Sequence, residues 1–267
     1  MSVKTPALLE LRNAVRFWFQ KLDANSKVCI GVSGGADSLA LAIAAKLEAA
    51  DFNLDLVAVI VDHGLQENSA EVAASTKKKL ESIGYSDIFV GKANVLVTDG
   101  IEASARRARY LVFQQALETY GAKVFLLGHT KNDQAEGVLL GLARGSGTKS
   151  LSGMAEISGP FIRPFLNVDR STTQAACVES GIEYWNDPHN LNTEFTRVRV
   201  RESILPLIEK EIGPGIIDAL SRSAKILRED ATALDEWAER VFGEIDPADI
   251  EISLLADLPI AVRSRVL

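Results

Sequence analysis

The chain has little cysteine: two in 267 residues, Cys29 and Cys177, with no C-x-x-C pair. That excludes a disulfide framework and a cysteine-rich zinc site. Cys29 lies inside an apolar strand pattern, where a thiol behaves as a small hydrophobe. A reducing, cytoplasmic setting follows. Long apolar runs are also missing. No stretch approaches ~18 residues without a charge, so no helical membrane span is expected. The first helical pattern, "ALLELRNAVRFWF", carries Glu10, Arg12 and Arg16, which marks an amphipathic helix and not a signal peptide. Positive charge is in deficit: 29 Lys and Arg against 36 Asp and Glu leave −7. Such a chain does not coat nucleic acid. Internal repeats and long low-complexity tracts are absent too.

What is present is a regular alternation. Apolar residues make up 47% of the chain, enough for one large domain, or one large and one small. Strand patterns at 27–33, 54–62, 87–93 and 123–129 alternate with helical patterns at 37–50, 67–83, 101–120 and 132–143. Four such units in a row predict a parallel sheet with helices on both faces. "VCIGV", "LVAVIV" and "VFLLG" are apolar on both faces, as buried parallel strands require. The pattern breaks at "RGSGTKSLSGM" (144–154), which reads as a mobile loop. "FIRPFLN" reads as extended, because Pro164 disfavours helix at Arg163. Helices near 168–180 and 199–211 close the domain. "IGPG" (212–215) looks like a boundary, with an α/β domain over 1–212 and a small helical domain over 213–267. The latter holds one long amphipathic helix, and the pattern is still apolar at Leu267, so the native chain could continue.

The chemistry-bearing stretch is "SGGADS", Ser33 to Ser38, between the first strand and its helix. Glycines at a strand–turn–helix hinge bring backbone N–H groups to a helix N-terminus, which suits phosphate. Gly34 and Gly35 permit close approach, and Ser33 and Ser38 add hydroxyls. Asp37 would repel phosphate unless Mg²⁺ lies between them, so the hinge reads as a site for a magnesium polyphosphate. Other phosphate signatures do not fit. "GSGTKS" (145–150) is superficially like a Walker loop, but Thr148 stands at the glycine position and the segment follows a helix. G-x-G-x-x-G is absent after the first strand.

"SGGADS" resembles the pyrophosphate loop (PP-loop) of the N-type ATP pyrophosphatases, which have an adenine nucleotide alpha-hydrolase-like, Rossmann-like fold. Further motifs narrow the resemblance: "VDHGLQENSAE" (61–71) at the end of the second strand, "IEASARRARY" (101–110), "GHTKNDQAEGVLLGLARGSG" (128–147), "RPFL" (163–166) and "NDPHNLNTEFTRVRVR" (186–201). In this order and spacing, over roughly 27–210, they look like the tRNA(Ile)-lysidine synthases. The resemblance implies an ATP-dependent ligase that joins free lysine to C2 of the wobble cytidine in an isoleucine tRNA with a CAU anticodon. Adenylation turns the C2 oxygen into a leaving group, and AMP and pyrophosphate are released.

The same resemblance implies roles. Ser33, Gly34, Gly35, Ala36, Asp37 and Ser38 hold ATP, with Asp62, His63 and His129 at neighbouring strand ends. Arg106 matches the family's "AR" arginine and would steady the α-phosphate. Asp133 and Glu136, at i and i+3, share a helix face that could hold a lysine ammonium or a metal; Asp37 and Asp133 are the metal candidates. Arg144, Arg163, Arg197, Arg199 and Arg201 would contact lysine or tRNA. Lys77–Lys79 read instead as a solvated helix face. Three positions depart from the family pattern: Asn132 stands where an acid is common, His189 in "DPSN", and Val198 in "RN-x-x-R". Little of the family's further tRNA-gripping domains is here. A tRNA thiolase shares the loop, but the cluster or persulfide kind needs placed cysteines. A non-catalytic ATP-binding module remains the other alternative. Oligomeric state is left open, a dimer included.

Overall fold

The run "KVCIG" forms β1 (Lys27–Gly31). Its alternate side chains feed both faces of a sheet: Val28 and Ile30 enter one core cluster and Cys29 another. β1 pairs in parallel with β2 (Asp55–Asp62) and with β4 (Val124–Leu126), and β2 pairs with β3 (Asp87–Lys92). β5 (Ile157–Ser158) and β6 (Phe161–Ile162) complete the order β3-β2-β1-β4-β6-β5, with β5 alone antiparallel, at the edge. This computed structural model describes residues 6–62, 64, 69–95, 100–145, 147–187, 192–245 and 255–267. No described helix is long and apolar enough to cross a membrane.

The chain forms two compact units, Met1–Asp133 with Ala155–Val198, and Gln134–Met154 with Arg199–Leu267. The second unit thus takes in an internal piece, where the sequence suggested one cut after Ile212. In the first unit, α1 (Pro6–Phe19), α2 (Ala36–Ala49), α3 (Ser69–Ile83) and α7 (Arg170–Glu179) share one core with Ile30, Ala58, Ile60 and Leu126. α4 (Ile101–Tyr120) covers the other face, where Phe113 packs against Phe125 and Cys29. α2 is apolar nearly all round, with ten of its fourteen residues buried, as a helix enclosed by neighbours should be. Among them is Glu48, fully buried, whose carboxylate takes Arg12 and Arg16 of α1, the latter at 2.6 Å.

β1 is flanked by β2 on one side and β4 on the other, so the chain winds outward in both directions from it. Ligands settle at that switch, beyond the carboxyl ends of the strands. Ser33–Ser38 follows β1 there, and Gly128–Thr130 follows β4.

The second unit packs Ala135, Val200 and Leu205 against Ile216, Ile217 and Leu220. α5 (Lys131–Ala143) enters it from Gln134 onward; α6 (Thr148–Leu151) lies inside the stretch expected to be loop. α8 (Thr196–Arg199) runs through a π-turn, Val200–Ile204, into α9 (Leu205–Glu211). Glu209 accepts the N–H groups of Gly215 and Ile216 at 2.7 and 2.9 Å, capping α10 (Ile216–Glu244) just after "IGPG". α11 (Ile260–Val266) packs on α10.

Candidate active site

The turn after β1 is built by backbone geometry. Gly34 has φ +89°, and a Cβ there would sit 2.5 Å from Thr76 Oγ1. Only glycine is comfortable at that φ. A Cβ on Gly128 would fall 2.9 Å from the Asp37 carbonyl oxygen, so glycine lets the end of β4 approach the start of α2. The serines knit the turn: Ser33 N–H donates to Ser38 Oγ at 3.1 Å, and Ser38 Oγ donates to Gly35 O at 3.0 Å. Trp185 N–H donates to Gly34 O at 2.9 Å and pins the loop from outside. Gly35 caps α2 without a side-chain bond, so the first-turn amides of Ala36 and Asp37 meet no capping side chain.

Two carboxylates face each other across an arginine. Arg170 donates through Nε to Asp37 Oδ2 at 3.2 Å and through Nη2 to Asp133 Oδ1 at 2.8 Å. Thr173 Oγ1 donates a short bond to Asp37 Oδ1. Asp133 Oδ2 accepts Thr130 N–H at 2.8 Å and Thr130 Oγ1 at 3.0 Å, and Arg197 lies 3.7 Å from Oδ1. The two acids respond in opposite directions. Burial raises the Asp37 pKa, more than Arg170 and Thr173 lower it. Burial also pushes Asp133 upward, but Arg170, the Thr130 amide and Arg197 outweigh it, and its pKa falls below the carboxylate norm. Burial presses His129 down to about 4, with Arg163, Arg197 and Arg106 adding to the effect, so its ring is neutral at pH 7. Its Nδ1 is buried and has no hydrogen-bond partner among the described residues.

The other expected residues divide by unit. In the first unit, Arg106 is exposed and its guanidinium lies 5.1 Å from the Tyr110 ring centroid. Arg163 is buried and donates to Ala155 O at 2.8 Å. Asp62 ends β2 and accepts Gly64 N–H at 3.1 Å; His63 and His189 lie outside the described residues. In the second unit, Glu136 is fully buried and held on both oxygens by Arg201, at 2.7 and 3.0 Å. Asp133 and Glu136, expected to act as one acidic face, are therefore held by different arginines, Arg170 and Arg201. Arg144 and Arg199 are exposed. Asn132 does not point to a metal: its Oδ1 accepts the Arg170 N–H at 2.9 Å, at the start of α7.

Arg170, Thr173 and Thr130 were not anticipated. One signal was available: a cation in the first turn of a helix sits at the wrong end of the dipole and needs a nearby anion.

Residues 9–208 match the family model described as a PP-loop domain. The tRNA(Ile)-lysidine synthase of Thermobifida fusca is 45% identical over 269 residues, covering 100% of this chain and 83% of that protein. Those of Leifsonia xyli and Rhodococcus erythropolis are 47% and 46% identical, covering 90% and 99% of this chain and 74% and 79% of theirs. The chain belongs to the tRNA(Ile)-lysidine synthase family. A solved structure, the U34-tRNA thiolase NcsA from Methanococcus maripaludis with its [4Fe-4S] cluster, aligns with a TM-score of 0.69 at 19% identity. It covers 84% of this chain and 79% of the thiolase, and supports the fold alone. In this member of the lysidine synthase family both thiols are buried, and burial raises Cys29 to about 11 and Cys177 to about 12. Neither is a ready thiolate.

Proposed function

We propose that this chain uses ATP to join free lysine to C2 of the wobble cytidine of an isoleucine tRNA bearing a CAU anticodon. The cytidine O2 attacks the α-phosphorus of ATP and pyrophosphate leaves. The ε-amine of lysine then attacks C2, loses a proton, and AMP departs with the oxygen. The observation that carries the reading is Asp37, on the first turn of an uncapped helix at the sheet's switch point, paired through Arg170 with Asp133.

The PP-loop supplies α2 amides to the phosphates. Mg²⁺ fits the donor set in one way. Among the described residues no group of three or more His, Cys, Asp or Glu could hold a metal. Asp37, with Asp133 beyond it, is therefore not an all-protein cage. One or two carboxylates plus substrate phosphates is the usual holding of Mg²⁺. When bound, the ion would offset charge building on the transferred phosphate. Asp133, kept ionised, is the counter-charge for the lysine ammonium; Glu136 is held by Arg201 and orders the second unit. Neutral His129 offers Nδ1 to the nucleotide. Arg106, exposed and resting on Tyr110, would swing from there toward the α-phosphate, and Arg144, Arg163, Arg197 and Arg199 are contacts for tRNA or lysine. The reaction belongs in the cytoplasm, where its tRNA is. The high thiol pKa values speak against sulfur transfer on the same fold.

The test is a product analysis with ATP, Mg²⁺, lysine and unmodified tRNA, omitting each in turn. AMP, pyrophosphate and labelled lysine in the tRNA, each requiring the CAU tRNA, are expected. AMP formation indifferent to lysine would point to another acceptor.

A further inference from the structure

The reaction as proposed gives no part to Thr173 and only a pairing to Arg170. Both stand on the first turn of α7, at i and i+3, and so face the same way. They reach Asp37 from 133 and 136 residues along the chain. Thr173 is fully buried, so its hydroxyl serves no solvent-facing purpose; its one hydrogen lies between Asp37 Oδ1 and the Arg170 carbonyl oxygen, the latter at 2.7 Å, while Arg170 takes Asp37 Oδ2. Both Asp37 oxygens are thus addressed by one helical turn. The turn itself is anchored: Asn132 Oδ1 accepts the Arg170 N–H, and Lys131 Nζ lies 3.0 Å from Asp169 Oδ1 at the cap. α5 therefore fixes the α7 start by two contacts and contributes Asp133 to the same arginine.

We infer that Thr173 and Arg170 are positioning residues: Thr173 sets the orientation of the Asp37 carboxylate, and Arg170 spans Asp37 and Asp133 as a resident cation that a nucleotide-bound divalent ion must displace at Asp37. This rests on the reading of Asp37 as the metal-holding acid. Without Arg170 the two acids lose the cation between them, and a bare divalent ion can take its place. Without the Thr173 hydroxyl, Asp37 is free to turn.

The test uses the full chain and Mn²⁺, followed by electron paramagnetic resonance, with thermal unfolding recorded for each variant. Thr173→Val keeps the side-chain shape and removes only the donor. It should weaken Mn²⁺ binding in the presence of a non-hydrolysable ATP analogue, and lower kcat, by about 10- to 100-fold, the usual cost of losing an orienting partner. The KM for ATP should move far less, and Thr173→Ser should restore both. Arg170→Met should bind Mn²⁺ more tightly than wild type without nucleotide, yet turn over more slowly; Arg170→Lys should return Mn²⁺ affinity toward wild type. A Thr173→Val protein with Mn²⁺ binding and kcat within about twofold of wild type, or a loss that Ser does not restore, overturns the inference. So does an Arg170→Met protein whose Mn²⁺ affinity is unchanged. If Arg170→Met does not fold, the isosteric Thr173 pair decides. The Mn²⁺ measurements need neither lysine nor tRNA. A wild type that binds Mn²⁺ and nucleotide but never modifies the tRNA would therefore strike the proposed function and not this inference.

Discussion

Asp37 and Asp133 share one arginine but not one titration. Asp133 has two more stabilising partners, the Thr130 amide and Arg197, and they help Arg170 keep it charged against burial. Asp37 has only Arg170 and Thr173 set against a larger desolvation, and the Asp133 charge adds to that. A metal-bearing nucleotide would reverse the balance at Asp37. Asp37→Asn should leave the fold intact and reduce AMP formation by at least about 100-fold, measured in steady state, because it removes the carboxylate that would hold the nucleotide's divalent ion. His129 gives a pH effect of definite sign. Its folded pKa of about 4 lies below the ordinary 6.5, so between those values the unfolded chain binds a proton the folded one refuses. The stability it contributes is complete above pH 6.5 and is lost as pH falls toward 4. His129→Asn should flatten that part of the melting-temperature profile, and an NMR titration should find one imidazole still neutral at about pH 5. Asp37 was legible from the sequence because a carboxylate in a phosphate loop is out of place. Arg170 was not, because its two partners lie 133 and 37 residues away and the α7 pattern resembles an ordinary amphipathic helix.

Among the elements, α2 does the most. Its Ala and Leu residues let α1, α3 and α7 pack closely, and its first turn is the end proposed to meet the phosphates. Glu48 is the exception on its buried surface, and it recruits Arg12 and Arg16 to lay α1 down. Glu48→Ala should cost about 2–4 kcal/mol in denaturant unfolding, since it strands the largely buried Arg12 and leaves a void, while Arg16, half-exposed, keeps Asp51. Gly128→Ala tests the close approach of β4 to α2. Its methyl must push back the Asp37 backbone, so activity should drop more than stability, compared by kcat and melting temperature. The helices α2, α3, α4 and α5 lie within two residues of their patterns, because buried faces repeat at helical spacing. β4 is the clearest shortfall. The apolar run 123–129 suggests seven residues, yet the ladder keeps Val124–Leu126, because the chain must leave the sheet at Gly128 to form the site. α6 was hidden for a different reason: a four-residue helix in a Gly- and Ser-rich stretch has too little periodicity to show.

For the molecule as a whole, charge is the instructive quantity. On the proposed function, a chain of −7 must grip tRNA through local arginines and not through its overall field. Raising salt from about 50 to 200 mM should therefore lower kcat/KM for tRNA steeply, while ATP binding without tRNA changes little. A flat tRNA response would mean that few phosphate contacts are made. The parallel sheet, the phosphate loop and the family were all readable along the chain. They depend on short-range regularities: apolar runs, helical spacing, glycines at one hinge, and motifs in a set order. The pairing of Asp37 with Asp133 through Arg170, the capture of Glu136 by Arg201, and the joining of 134–154 to 199–267 were not. Each depends on which side chains meet after the helices pack, and local propensity carries no information about partners scores of residues apart.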